Sequence, residues 1–152
     1  MKTKTFHLLA ICGLITLSFF SCEKTNDTKT TRIIYGYSFG MANASQQIQL
    51  NEDLFLYENK SMASNMDKRC SKATDKALLK DILNSPDLKN FHKLPAVYGC
   101  PDCADGGAEF IELEMDGKVY RVTYNYGKVP EELTDIVAKL KPVMGSFKDC
   151  QP

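Results

Sequence analysis

Nine consecutive residues, Gly99-Cys100-Pro101-Asp102-Cys103-Ala104-Asp105-Gly106-Gly107, constrain this chain more than any other stretch. They set two cysteines, two aspartates and three glycines between a half with helical apolar spacing and a half whose apolar residues alternate. Beyond the N-terminal region the chain carries Cys70, Cys100, Cys103 and Cys150. An even set in an exported chain points to two disulfides, for which three connectivities exist. The preferred pairing joins Cys100 to Cys103 and Cys70 to Cys150, with cross-pairings such as Cys70 to Cys100 left open. On chain-entropy grounds the short loop contributes about 2 kcal/mol and the long one about 4.5 kcal/mol.

Export is read from the N-terminus. Lys2 and Lys4 precede an apolar run from Phe6 to Phe20, the charged and apolar regions of a secretory signal, too short for a comfortable membrane span. The run ends at Phe19-Phe20-Ser21-Cys22, which resembles a bacterial lipobox, where the small residue precedes the cysteine that is lipidated. Residues 1–21 are therefore expected to be a lipoprotein signal peptide and Cys22 the lipidation site. The competing reading is an ordinary signal peptide, with Cys22 a disulfide partner. Residues 22–31, polar and without apolar period, read as a flexible tether, and residues 32–152 as one α+β domain. The lipid would anchor the chain in the bacterial cell envelope, at the outer membrane, on its periplasmic or surface face.

Of the 152 residues 43% are hydrophobic, enough for a core. Nineteen basic and nineteen acidic residues cancel, and loss of Lys2 and Lys4 leaves the remainder two negative. With no basic stripe, no nucleic-acid partner is expected.

Ile33, Tyr35, Tyr37 and Phe39 alternate with Arg32, Ile34, Gly36 and Ser38, a strand with one aromatic face that ends at Gly40. Gln46–Leu50 and Leu54–Glu58 read as strands around the turn Asn51-Glu52-Asp53, with a further short strand near Asp67–Ser71. Thr74-Asp75 opens a helix with Leu78, Leu79, Ile82 and Leu83 on one face. Ser85 as N-cap and Pro86 at the first position start a second helix, carrying Leu88 and Phe91, which Leu94-Pro95 stops. Asp116-Gly117 predicts a type I′ hairpin that pairs Met115 with Lys118, Leu113 with Tyr120, Ile111 with Val122 and Glu112 with Arg121. Tyr124 and Tyr126 extend its apolar face. Pro130 starts a last helix with Leu133, Ile136, Val137, Leu140 and Met144 inward, which Pro142 is expected to kink or end near Lys141. The expected fold is α+β, an antiparallel sheet of about five strands with helices on one face, in the order β-β-β-(β)-α-α-β-β-α.

Three chemistries compete for the cysteine loop. A redox dithiol of the thioredoxin type needs a helix starting at its first cysteine to stabilise a thiolate, whereas Ala104-Asp105-Gly106-Gly107 and then a strand follow here. Asp102, Asp105 and Glu109 offer oxygen ligands for calcium, at a spacing unlike the EF-hand loop. Zinc would need thiolates that an oxidising compartment removes. The reading carried forward is a structural staple, no catalytic residue and no cofactor. His92 reads as a helix-end residue, and no Gly-x-Ser-x-Gly motif occurs.

The segment Gly99–Phe110, the hairpin and C-terminal helix after it, and the Tyr35-Gly36-Tyr37-Ser38-Phe39-Gly40 strand resemble a family of small lipoproteins from Bacteroidota. Its members often carry a cysteine pair just after the Phe-Gly step, where this chain has Met41-Ala42-Asn43-Ala44-Ser45-Gln46. The resemblance implies location and fold, and brings no activity. The expected function is a non-enzymatic binding or structural role at the envelope, with a protein or glycan as partner. Thiol-disulfide exchange through Cys100 and Cys103 and calcium binding through Asp102, Asp105 and Glu109 are the alternatives.

Overall fold

A computed structural model describes residues 30–40, 43–61, 67–101, 103 and 106–150. The leader, Cys22, the spacer through residue 29, Met41, Ala42, Asp102, Ala104 and Asp105 lie outside the described residues.

The architecture is α+β. Strands β1 (Thr30–Phe39), β2 (Ala44–Leu50), β3 (Leu54–Ser61) and β4 (Lys68–Ala73) come first, then helix α1 (Lys76–Leu83) and a 3-10 segment, Pro86–Lys93. Strands β5 (Val97–Tyr98), β6 (Ala108–Met115) and β7 (Lys118–Asn125) follow, and helix α2 (Thr134–Gly145) enters from a 3-10 turn at Glu131–Leu133. They form a seven-stranded sheet in the order β4-β3-β2-β1-β6-β7-β5. All neighbours are antiparallel except β5, which runs parallel to β7 through Val97–Thr123 and Tyr98–Tyr124.

The sheet is thus mixed and wider than the five antiparallel strands expected. The short strand near Asp67–Ser71 exists, as β4, and β5 was missed because two residues carry no alternation. Thr123 reaches across to donate its N–H to the Ala96 carbonyl at 2.9 Å, a long-range pairing with no local signature. β1 begins at Thr30, two residues inside the stretch read as tether.

The β6–β7 hairpin has the register counted outward from its turn, Met115–Lys118 through Phe110–Thr123. Asp116 and Gly117 have φ of 49° and 73°, as a type I′ turn requires. Alternation then sends Ile111, Leu113, Met115, Val122 and Tyr124 to one face, where all are buried. On the other face Glu112 meets Arg121 and Arg32, and the Arg121 guanidinium covers the Phe110 ring at 3.8 Å.

The helices cover the inward face. Asp75 caps α1 by accepting from the Ala77 and Leu78 amides, and α1 buries Leu79 and Ile82, each contributing about 1.5–3 kcal/mol. The second helix is 3-10 throughout, and Ser85 makes no cap bond. Its hydroxyl donates instead to Asp135 Oδ2 at 2.7 Å, while Asp87 Oδ2 accepts the Ile136 amide at 2.9 Å. The segment therefore serves the first turn of α2, which lacks a side-chain cap of its own.

α2 buries Ile136, Val137, Leu140, Val143 and Met144, and it does not stop at Lys141. Pro142 sits inside it. Ala138 and Pro142 are both exposed, so the backbone bond that proline removes lies on the wet side, where water can replace it.

Candidate functional site

The cysteines join as Cys70–Cys150 and Cys100–Cys103, with Cα separations of 6.0 and 5.5 Å. The first ties β4 to the turn after α2, where the Phe147 ring stacks on Tyr57 at 5.5 Å. The second closes a loop at the end of the sheet where β7 finishes and β6 begins.

This loop is held from outside. Asn125 Oδ1 accepts the Cys100 amide at 2.9 Å and Asn125 Nδ2 donates to the Cys100 carbonyl at 3.1 Å. Gly99 has φ of 72°, and a Cβ there would stand 2.1 Å from Asn125 Oδ1, so only glycine admits this clasp. Cys103 sits in a 3-10 turn, its amide donating to the Cys100 carbonyl at 3.2 Å and its carbonyl accepting the Gly106 amide at 3.3 Å, and β6 begins at Ala108, which leaves no length for an α-helix of several turns whose dipole could stabilise a thiolate.

On leaving the loop the backbone shapes a second feature. The Gly107 carbonyl accepts the Tyr126 amide at 3.2 Å, and Gly107 lies against the Phe39 ring, where a Cβ would come within 2.5 Å of it. Phe39 in turn packs on Tyr126 with ring centroids 4.9 Å apart, and Tyr126 meets Tyr37 at 5.3 Å and 72°. Tyr37 and Tyr126, backed by Phe39, wall a cleft of about 340 Å³ between β1, β6, the turn after β7 and the end of α2.

Glu109 forms the floor of that cleft. It is the acidic residue at the inward phase of β6, beside Tyr37 on β1 and Tyr124 on β7, and it is only 1% exposed. Tyr35 donates its hydroxyl to Glu109 Oε1 at 2.5 Å and the Gly127 amide donates to Oε2 at 3.0 Å. Lys141, half exposed on α2, brings its ammonium to 3.5 Å from Oε1. A buried carboxylate needs such partners, because unpaired it would cost several kcal/mol.

The tyrosines are tuned by this neighbour. Burial first, then the bond to Glu109 and its charge, hold the Tyr35 hydroxyl well above the usual phenol range, so it remains a donor. Burial, then the Tyr126, Tyr57 and Glu109 charges, raise Tyr37 also. Tyr124 is raised by burial and then by Glu109, yet its hydroxyl makes no hydrogen bond of acceptable geometry. It is fully buried.

Glu109 is thus engaged on the core face, on atoms that a calcium site would need; Asp102 and Asp105 lie outside the described residues. Among the described residues no three His, Cys, Asp or Glu side chains gather as a metal site would require. His92 lies in the last turn of the 3-10 segment, exposed, with its ring 6.2 Å from Tyr120.

The Glu109 cleft was missed from sequence, although one signal pointed to it. The hairpin register puts Ile111, Leu113 and Met115 inward, and one further step of two places Glu109 on the same face.

The chain matches no protein-family model and no curated protein.

Proposed function

We propose that this is a lipid-anchored protein of the bacterial cell envelope, held at the outer membrane through Cys22, that acts by binding a partner and not by catalysis. The leader ending in Ser21-Cys22 supports the location. One observation carries the choice between binding and thiol chemistry. The Cys100–Cys103 bridge closes a 3-10 turn that is followed within five residues by the start of β6, with Cys100 clasped by Asn125, and so serves as framework beside the aromatic wall of a cleft. A redox pair needs instead a thiolate favoured by a helix start.

A redox titration and an insulin-reduction assay test this reading. A framework bridge stays oxidised in a glutathione buffer and does not turn over insulin. Equilibration with glutathione and turnover that Cys100→Ser abolishes would replace the binding reading with thiol-disulfide exchange. Mass spectrometry of the mature N-terminus tests the anchor: an acylated Cys22 is expected, and an unmodified, normally processed Cys22 would remove it.

A further inference from the structure

The Glu109 cleft has the chemistry of a cation receptor. Its floor is a carboxylate that is 1% exposed and oriented by two fixed donors, the Tyr35 hydroxyl and the Gly127 amide. Its wall carries Tyr37 and Tyr126, packed edge to face with centroids 5.3 Å apart, an aromatic surface of the kind that attracts a cation. A buried carboxylate repels an anion, and a lone carboxylate among phenols that donate cannot complete the oxygen shell of a metal ion. A volume of about 340 Å³ lies at the small end of ligand clefts, enough for a side chain but not for a folded segment.

One further observation points to an occupant. Lys141 already places an ammonium 3.5 Å from Glu109 Oε1, with its side chain 51% exposed, so that cation sits at the mouth and can withdraw into water.

We infer that this cleft binds a primary alkylammonium group, with Lys141 as the internal stand-in that the ligand displaces. The inference rests on the binding reading above and names the ligand chemistry of that protein. An ammonium carries three donors, enough to share Glu109 Oε1 with Tyr35 while its alkyl stem lies along Met144 and the tyrosine rings. Such a group comes from a lysine side chain of a partner protein or from a small free amine.

The test is calorimetry and amide NMR on the mature chain in detergent with both disulfides intact. The probes are Nα-acetyl-lysine methylamide, 1,5-diaminopentane and, as a neutral control, the Nε-acetylated form of the first. Both amines are expected to bind saturably, to shift the Gly127 amide that reports on Glu109, and to bind more tightly to Lys141→Ala. The neutral control is expected to do neither. Preference for the acetyl-lysine probe assigns a protein lysine as the source, and preference for the diamine assigns a free amine. Glu109→Gln should weaken binding at least about tenfold, as loss of a hydrogen bond to a charged group does. Tyr126→Ala, at a half-exposed position, should weaken it several-fold and serves if the Gln variant fails to fold. Absence of saturable binding to both the parent and Lys141→Ala, or equal binding of the neutral control, overturns the inference. An inert bridge in the insulin assay would then leave the binding reading standing without this ligand class.

Discussion

Asn125 grips Cys100 by both of its backbone groups, across the gap between the end of β7 and the loop after β5. The grip explains why residue 99 is glycine, since any Cβ there would overlap the Asn125 carboxamide. It also makes the loop part of the sheet's end, next to the rings around Tyr126.

Gly99→Ala is therefore expected to lower stability by about 1–3 kcal/mol through strain at a left-handed φ and the clash with Asn125. Asn125→Ala should cost about 1–2 kcal/mol for the lost pair of bonds. In the double variant the clash is gone, so the cost of Gly99→Ala should shrink. Urea midpoints of the four proteins read this directly, and strict additivity would refute the steric account.

Removing the long bridge should hurt more than removing the short one. Cys70→Ala with Cys150→Ala is expected to destabilise more than Cys100→Ala with Cys103→Ala by roughly 2 kcal/mol, because the larger loop confines the unfolded chain more. Denaturant unfolding decides it, with an equal or reversed order counting against the entropy argument.

Tyr35→Phe and Tyr124→Phe should differ sharply although both remove one buried hydroxyl. The first takes a well-formed donor from a buried carboxylate and should cost about 1–3 kcal/mol; the second removes a hydroxyl that makes no hydrogen bond of good geometry and should be close to neutral. Thermal melts of the two variants should separate, and matching losses would show that Tyr124 is bonded after all.

Asp135 lies below the usual aspartate range, mainly because Ser85 donates a hydrogen bond to it and also because Lys139 stands beside it. A group whose folded pKa is depressed stabilises the fold above its unfolded pKa and loses that contribution as pH falls through the folded value. Ser85→Ala should raise the Asp135 titration midpoint in carboxyl NMR and bring acid unfolding to higher pH. An unmoved midpoint would put the cause elsewhere.

Features set by neighbours along the chain were legible in the sequence. Asp116-Gly117 alone gives the turn type, and the turn gives the register of β6 and β7, because a period of two leaves no freedom once the turn is placed. Asp75 and the Leu79–Ile82 spacing mark α1 in the same local way, and the preferred cysteine pairing is the one the fold adopts. Tertiary structure alone decided the rest. Ser85 reads as a helix cap but serves Asp135, 50 residues away, because that buried hydroxyl finds its acceptor in a packed neighbour. Pro142 reads as a helix stop, but packing of Val143 and Met144 into the core outweighs one amide bond lost toward solvent. Glu109 reads as a loop-side carboxylate, yet the sheet turns it inward beneath Tyr35, Gly127 and Lys141, groups brought together from β1, the turn after β7 and α2. Local propensity carries no information about such meetings, because the free energy that selects them comes from burial shared among segments distant in the chain.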